Sequence, residues 1–327
     1  MECITVDEFQ IISRFFEHSY KDKSVQFGIG DDGAILSPDP NRHLVSVMDT
    51  LIEGVHYPSS LSPKDIGYRA VEINLSDLAA MGARPRWMSL ALTIKEADES
   101  WLANFSEGLF MSADQYSMPL VGGDTTNGKI DVISIHLIGD INPDTAMTRC
   151  GAKEDDFIFI SGYPGEAAAG LYIFENDSSS LDYTYLKRKF CRPSARIELG
   201  ERLSSIATAA IDISDGLYSD TQKMLKASGL GGCINIDKIP ISASLKNCFD
   251  EKYIKRFVFS GGDDYELLFS ANPNKKPLID KIAKELCIPI TCIGKVLSCD
   301  NLTCEENGKT VNIDDFGYIH FKSTQFM

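Results

Sequence analysis

The hydrophobic pattern of the first half of the chain predicts helices alternating with strands. Helices are predicted at residues 5–20 and 62–82, and a third follows the capping residue Asp98. Apolar runs bounded by polar turns predict the strands of this half, at residues 43–51, 87–94, 119–121 and 130–141. The 62–82 helix has Ser62 as its cap, Pro63 at its first position and Gly82 as its stop.

The second half repeats the mixture of elements after a change of composition near Asn142-Pro143-Asp144. The pattern predicts a strand at 157–161 followed by a glycine-rich turn and a helix, a helix near 194–207, and another helix that ends near 228. Short strands follow over 290–322, with a hairpin at Glu306-Asn307-Gly308. Because 327 residues exceed the ~250–300 of a single core, we expect two domains, 1–142 and 143–327, in an α/β protein of the α+β type.

Aspartates interrupt these apolar segments in a recurring way. The first case is Gly28-Ile29-Gly30-Asp31-Asp32-Gly33, a carboxylate pair between glycines in the apolar stretch 25–36. Strand ends or core faces carry such carboxylates in six segments: Asp31 and Asp32, Asp49, Asp77, Asp124, Asp212 with Asp215, and Asp263 with Asp264. One such residue would be an ordinary turn aspartate. Six that converge would repel one another without cations, and the hard cation that matches oxygen ligands is Mg²⁺.

Asp77 is the most unusual of these residues. At ~100° per residue it falls within about 20° of Ile66, on the apolar stripe of its own helix. Two interpretations stay open at this point: a buried acid paired with Arg69, Arg84 or Arg86 or capping a turn, and a metal ligand.

The glycines of residues 28–33 also satisfy the dinucleotide-binding pattern G-x-G-x-x-G, and Asp49 lies near the ~20-residue offset of a ribose-binding acid. Charge argues against that interpretation. Both variable positions near the pyrophosphate would be aspartates, and residues 34–38 predict a short strand that ends at a proline rather than a helix.

Overall charge and cysteine content narrow the classes of partner. With 32 basic and 47 acidic residues the net charge is -15, which argues against nucleic acid or an anionic membrane and is compatible with divalent cations. Nine scattered cysteines without C-x-x-C spacing predict reduced thiols in a cytoplasmic protein. No export signal or membrane span is expected.

The chemistry that best suits such a site is Mg²⁺-dependent phosphoryl transfer, in which positioning and charge neutralisation dominate. The signatures of P-loop enzymes and of protein kinases, G-x-x-x-x-G-K-[ST] and H-R-D, are absent from the sequence.

Seven motifs in order along nearly the whole chain resemble the thiamine-monophosphate kinase family, which shares a superfamily with aminoimidazole ribonucleotide synthetase, selenophosphate synthetase and hydrogenase maturation proteins. They lie at residues 28–32, 49–56, 74–83, 122–126, 148–153, 212–217 and 261–267. The resemblance implies a two-domain PurM-like fold. Its N-terminal domain would dimerise through its sheet, and ATP and several Mg²⁺ ions would bind between the domains.

The resemblance also assigns roles to residues. It implies magnesium ligands at Asp32, Met48, Asp49, Asp77, Asp124, Asp212 and Asp215, ATP contacts at Gly123, Asp124, Arg149 and Ser214, and contacts with the thiamine substrate at His56, Asp263 and Tyr318. The set expected to carry catalysis is Asp32, Asp77, Asp124, Arg149 and Asp212. The implied reaction is direct in-line attack of a thiamine monophosphate oxygen on the γ-phosphorus of ATP.

Some positions depart from the family pattern or allow a second interpretation. Met48 replaces a Ser or Thr, so that only its backbone carbonyl could bind a metal, and Asp263 replaces a Glu that is one methylene longer. Gly33 replaces a small residue such as alanine, which should be nearly neutral. Arg149 could clamp a phosphate or pair with Glu154 or Asp155, and His56 could be structural.

Two other functions compete with the kinase. Another member of the superfamily would act on aminoimidazole ribonucleotide precursors or on selenide, although no reactive Cys or Lys in a suitable setting precedes Gly28. A non-catalytic calcium-binding protein would carry contiguous D-x-[DN]-x-[DN]-G loops, which the sequence lacks.

Overall fold

The computed structural model describes residues 7–18, 22–176 and 181–313. Tyr318 and Cys3 lie outside the described residues. Contacts divide the chain into two compact units, the first built from residues up to 78 and from 83–146, the second from 79–82 and from residue 147 onward. The sequence places a domain boundary between 142 and 143, and the assignment of ATP binding and dimerisation to the first domain stays a prediction.

The first unit contains three helices and six strands among its described residues. The helices are α1 (Glu8–Ile11, which continues as a π-helical turn over Ile12–Phe16), α2 (Pro63–Met81, whose last residues group with the second unit) and α3 (Glu99–Ala113). The strands are β1 (Val25–Phe27), β2 (Ile35–Leu36), β3 (His43–Ile52), β4 (Arg84–Ile94), β5 (Leu120–Asn127) and β6 (Val132–Ile141).

The predicted caps of α2 and α3 are confirmed, whereas the first helix, predicted over 5–20, ends at Phe16. The Ser62 hydroxyl accepts a hydrogen bond from the Asp65 N–H at 3.1 Å, and Asp98 Oδ1 accepts one from the Trp101 N–H at 2.7 Å. Gly82 follows α2 with φ 74°, the left-handed conformation that favours glycine at a helix end. Local capping chemistry therefore fixes where α2 and α3 begin.

The main sheet of the first unit has the strand order β3-β6-β4-β5. Its buried face carries the apolar side chains of the core: Leu90, Leu92, Ile133, Ile135 and Leu137. The strand β5 extends farther than predicted, because Gly122–Thr126 continue the parallel pairing with β4 instead of leaving the sheet. A Cβ at Gly123 would overlap the carbonyl oxygen of Leu90, so only glycine allows this close pairing.

The second unit contains seven helices and seven strands within its described part. The strands are β7 (Phe157–Ser161), β8 (Ala209–Asp212), β9 (Gly231–Asn235), β10 (Leu267–Ala271), β11 (Ile290–Leu297), β12 (Leu302–Glu306) and β13 (Lys309–Val311), in the sheet order β13-β12-β9-β11-β7-β10-β8. The helices are α4 (Glu166–Glu175), α5 (Leu181–Cys191), α6 (Ile197–Leu203), α7 (Leu217–Ala227), α8 (Ala243–Cys248), α9 (Glu251–Ser260) and α10 (Lys276–Leu286).

The second unit confirms some predictions and corrects others. The hairpin at Asn307-Gly308 is confirmed, with both residues at positive φ between β12 and β13. The segment before Asp263 is not a strand end, because Val258 and Phe259 belong to α9, an amphipathic helix capped by Asp250. The mixed helix-and-sheet architecture of both units agrees with the predicted α+β class.

Two expectations about the environment can be compared with the described residues. Their eight cysteines are all free, as predicted for reduced thiols. None of the helices in these residues combines the length and apolar character needed to cross a membrane.

Candidate active site

Two predicted metal ligands of the first unit contact each other. Asp49 lies on β3 with its N–H donating to Asn74 Oδ1 at 2.9 Å, which fixes the strand against α2. One turn farther along α2, the half-buried Asp77 shares a hydrogen bond with the Asp49 side chain. Burial raises the pKa of Asp49, while Asp77 and the nearby His56 oppose that shift. Two carboxylates at this distance must share a proton or a cation.

Two of the three arginines proposed as partners of Asp77 pair with Asp140 instead. Arg84 Nη2 and Arg86 Nε lie 3.2 Å and 3.4 Å from Asp140 Oδ2, and Arg42 also pairs with this buried carboxylate. The structure pairs Asp77 with Asp49, and the choice between a shared proton and a metal ion depends on what binds there.

His56 is oriented by the backbone of β3. Its Nδ1 accepts a hydrogen bond from the Ile52 N–H at 3.0 Å. In the neutral ring the proton therefore sits on Nε2, so that this side of the imidazole is a donor. The segment thus holds His56 near Asp49 in a defined tautomer, which suits the substrate contact implied by the resemblance.

The turn at residues 28–33 lies between β1 and β2, as predicted. The Asp32 N–H donates to Asp31 Oδ1 at 2.8 Å, and both side chains are exposed. Asp31 therefore orients the turn and leaves the Asp32 carboxylate for another partner. A Cβ at Gly28 would lie 3.8 Å from the Val121 carbonyl oxygen, which places the turn beside the start of the Gly122–Thr126 segment.

Asp124 and Met48 lie inside strands and not at strand ends. Asp124 lies inside β5, exposed and paired in register with Ala91. The Met48 side chain is 61% exposed and projects from the face of β3 opposite to its neighbour Asp49. A metal contact by Met48 could use only the backbone carbonyl, and it stays a prediction.

Two predicted segments of the second unit are joined by backbone hydrogen bonds. The Asp263 and Tyr265 N–H groups donate to the Ser214 and Ile213 carbonyl oxygens at 3.0 Å and 2.9 Å. The neighbouring strands β8 and β10 bring the two segments together, with Asp212 opposite Leu267. Asp212, the last residue of β8, and Asp215, which follows the strand, thus share one end of the sheet with Asp263.

The Asp263 segment is strained and self-bonded. Asp263 and Tyr265 have φ values of 69° and 51°. This left-handed backbone conformation is costly for residues other than glycine. The Tyr265 hydroxyl donates to Asp263 Oδ1 at 2.8 Å. This bond restrains the Asp263 carboxylate.

Arg149 is exposed in a loop held by its own backbone. Its carbonyl accepts a hydrogen bond from the Ser228 hydroxyl at 3.2 Å. One proposed partner, Asp155, pairs instead with Lys295 at 2.7 Å, and no carboxylate within residues 7–18, 22–176 and 181–313 forms an ion pair with the Arg149 guanidinium. The side chain is available for an anionic ligand.

Across the described segments, no three acidic, histidine or cysteine side chains lie close enough to form a complete metal cluster. The predicted residues instead lie near one another without forming such a cluster: Asp49 with Asp77 and His56 in the first unit, and Asp212, Ser214 and Asp215 with Asp263 in the second.

Comparison with known proteins shows which family shares this arrangement. Residues 30–141 match the family described as AIR synthase related protein, N-terminal domain. The thiamine-monophosphate kinase of Salmonella typhimurium is 41% identical over 320 residues, which cover 96% of this chain and 98% of that protein. The chain belongs to the thiamine-monophosphate kinase family.

Solved structures agree with this membership. The thiamine-monophosphate kinase of Stenotrophomonas maltophilia superposes with a TM-score of 0.83 at 36% identity, over 89% of this chain and 93% of that one. AaThiL, solved in complex with AMPPCP and TMP, superposes with a TM-score of 0.75 at 28% identity, over 96% and 97% of the two chains. The predicted two-domain PurM-like fold is thereby confirmed as the fold of this family.

The sequence did not predict the charged residues that hold the site segments of the second unit in this member of the thiamine-monophosphate kinase family. Glu266 accepts hydrogen bonds from Arg196 and Ser161 in the buried interior. Asp220 binds the backbone of the segment after β8, and Lys223 pairs with Asp215. Arg196 lies 70 positions from Glu266, so no local pattern links the two residues. Asp220, an acid in the first turn of α7, is the one of these residues that a local pattern could have indicated.

Proposed function

We propose that the protein catalyses ATP-dependent phosphorylation of thiamine monophosphate to thiamine diphosphate. The observation that carries the proposal is the similarity over nearly the full length to curated thiamine-monophosphate kinases and to AaThiL, which was solved with AMPPCP and TMP. The groups formed by the predicted residues support the same conclusion, because they supply oxygen ligands and an unpaired arginine for a nucleotide and a phosphate acceptor.

The Asp49–Asp77 pair fits Mg²⁺. Both ligands are hard oxygen donors, and burial raises the pKa of Asp49 by more than Asp77 and His56 lower it. Mg²⁺ usually takes one or two carboxylates and completes its shell with water and substrate phosphates. We infer that Asp32, Asp49, Asp77, Asp124, Asp212 and Asp215 hold several such ions, with the Met48 carbonyl as a further ligand. Bound Mg²⁺ would neutralise phosphate charge during transfer.

The remaining site residues bind and orient the two substrates in this proposal. Gly123, Asp124, Arg149 and Ser214 contact ATP, with the Arg149 guanidinium donating to phosphate oxygens. His56, Asp263 and Tyr318 contact thiamine monophosphate, and His56 does so through its Nε2–H. Asp32, Asp77, Asp124, Arg149 and Asp212 form the set that catalysis depends on most.

The acceptor itself limits what the protein must do chemically. A phosphate monoester with a second pKa of about 6 is already ionised near neutral pH, so no side chain needs to remove a proton from it. The residues of the chain instead hold the phosphate oxygen in line with the γ-phosphorus and restrain the leaving ADP. In-line attack forms the new O–P bond as the bond between the γ-phosphorus and the bridging oxygen breaks.

We also propose that the protein acts as a homodimer in the cytoplasm. The sheet of the first unit has an exposed face that includes Leu44, Met48 and Ala91, which offers apolar surface to a second copy. Eight free cysteines suit a reducing compartment.

The test is to incubate the purified protein with MgATP and thiamine monophosphate and to measure thiamine diphosphate and ADP. We expect the two products in equal amounts and neither in EDTA. Absence of thiamine diphosphate, together with ATP consumption on selenide or on an aminoimidazole ribonucleotide precursor, would overturn the proposal.

A further inference from the structure

Asp220 binds three consecutive backbone N–H groups of the segment between β8 and α7. Its Oδ2 accepts from Ser214, Asp215 and Gly216 at 3.1 Å, 2.9 Å and 3.1 Å. The side chain is fully buried in the first turn of α7. A carboxylate that accepts several N–H bonds holds its partners more strongly than a neutral acceptor would.

The same segment is held from its other side. The Ile213 and Ser214 carbonyl oxygens accept hydrogen bonds from the Tyr265 and Asp263 N–H groups. Gly216 completes the fit, because a Cβ there would lie 2.7 Å from the Phe259 carbonyl oxygen. With its backbone groups bonded inside the protein, the segment presents the side chains of Ser214 and Asp215 outward.

Lys223 links the two acids of this arrangement. Its ammonium group pairs with Asp215 Oδ2 and lies 2.7 Å from Asp220 Oδ1. Lys223 therefore balances the charge of Asp220 while Oδ2 of that residue is committed to the backbone.

We propose that Asp220 is a positioning residue for the magnesium–nucleotide site: it sets the conformation of residues 213–216 and thereby the direction of the Ser214 and Asp215 side chains. This inference rests on the proposed function, which assigns Ser214 to ATP and Asp215 to Mg²⁺. Asp220 itself contacts no substrate, since its carboxylate is buried and used by the three N–H groups and by Lys223.

A purely structural role would produce a different result. If Asp220 only stabilised the start of α7, its loss would lower the stability of the fold and leave ion affinity unchanged below the melting temperature. Residues that orient metal ligands typically change metal affinity by about 10- to 100-fold when they are mutated. The affinity for a divalent ion therefore separates the two roles.

The experiment compares Asp220→Asn with Asp156→Asn in the full-length protein. Asp156 is also buried in the second unit and accepts hydrogen bonds from the Lys153 N–H at 2.9 Å and the Thr208 hydroxyl at 2.6 Å, so its variant controls for the loss of a buried acid. Mn²⁺ binding in the presence of AMPPCP is measured by electron paramagnetic resonance, and amide hydrogen exchange is followed over residues 212–217.

We expect Asp220→Asn to weaken Mn²⁺ binding by roughly tenfold or more and to speed exchange at residues 214–216, with Asp156→Asn changing neither. Faster exchange without a change in Mn²⁺ affinity would overturn the proposal. If Asp220→Asn does not fold, Asp220→Glu keeps the charge but displaces the carboxylate by one methylene, and the same two outcomes apply. Failure of the wild-type protein to form thiamine diphosphate would refute the proposed function alone, because neither readout requires turnover.

Discussion

Asp49 and Asp77 of the first unit contact each other, whereas Asp215 and Glu266 of the second unit each contact a base. Asp49 and Asp77 share a hydrogen bond on β3 and α2. In the second unit Asp215 pairs with Lys223, and Glu266 pairs with Arg196. The two regions therefore treat buried negative charge in opposite ways.

This difference appears in the pKa values. Burial raises the pKa of Asp49, and the opposing effects of Asp77 and His56 do not reverse that shift. Burial also acts on Glu266, but the Arg196 guanidinium outweighs it and lowers the pKa of that carboxyl. The first region thus has charge left for an added cation, while the second uses internal bases to hold site segments in place.

Removal of the base from Glu266 should have the largest effect. The Arg196 and Glu266 side chains are only 17% and 6% exposed, so Arg196→Met leaves a buried carboxylate without its partner. We expect a loss of roughly 3–5 kcal/mol in the free energy of unfolding, measured with urea at neutral pH.

Arg202→Met is the matched control for this prediction. Arg202 is 45% exposed and pairs with Glu198 and Glu285 at the surface, where an ion pair contributes about 1 kcal/mol or less. Equal losses in the two variants would show that the second unit does not depend on its buried base.

A smaller effect is expected when the charge of the acid pair is reduced. Asp77→Asn keeps the shape of the side chain and its bond to Asp49 but removes one proposed ligand charge. We expect thiamine diphosphate formation to fall by on the order of 10²- to 10³-fold, a loss typical for a group that stabilises charge in the transition state. The melting temperature should not fall, because the repulsion between the two acids is relieved.

The control on the same helix is Asp65→Asn, at the beginning of α2 and hydrogen-bonded to Ser62. It should leave turnover unchanged. Near-normal activity of Asp77→Asn would contradict a role as a ligand and would favour a shared proton in the Asp49–Asp77 pair.

Local patterns in the sequence predict where α2 and α3 of the first region begin. The 3.6-residue period placed Asp77 on the apolar stripe of α2, and the caps at Ser62 and Asp98 located the helices that the structure contains. The glycine doublet Gly122-Gly123 was a poor guide to secondary structure. It resembles a turn in the sequence, but in the structure it is part of a strand that lies close to Leu90. Such an approach depends on the neighbouring strand and not on local residues.

The second region depends on contacts that no local pattern contains. The segment from Gly261 to Glu266 follows a helix instead of a strand, because Val258 and Phe259 are part of the amphipathic helix α9. Arg196 reaches Glu266 only after the chain folds, and Asp220 looks like an ordinary surface acid in the first turn of a helix until its three N–H partners are seen. The convergence of all six acidic segments stays a prediction.

The smallest expected effect is a pair of opposite pH dependences. The raised pKa of Asp49 means that the folded protein binds this proton more tightly than the unfolded chain does. That stability is present below the ordinary aspartate value of about 3.9 and is lost as the pH rises through the raised value. The lowered pKa of Glu266 acts in reverse: its stability is present above the ordinary glutamate value of about 4.3 and is lost as the pH falls through the lowered value.

Urea unfolding of the wild type, Asp49→Asn and Glu266→Gln in EDTA, from about pH 3 to pH 7, measures both contributions. Relative to the wild type, Asp49→Asn should gain stability as the pH rises, because it never carries the uncompensated charge. Glu266→Gln should lose stability over the same range, because the wild type gains an ion pair that the variant cannot form. If the relative stability of both variants changed with pH in the same direction, the two regions would handle buried charge alike. Added Mg²⁺ should flatten the pH dependence only for Asp49→Asn, because of the two acids only Asp49 can exchange its proton for the ion.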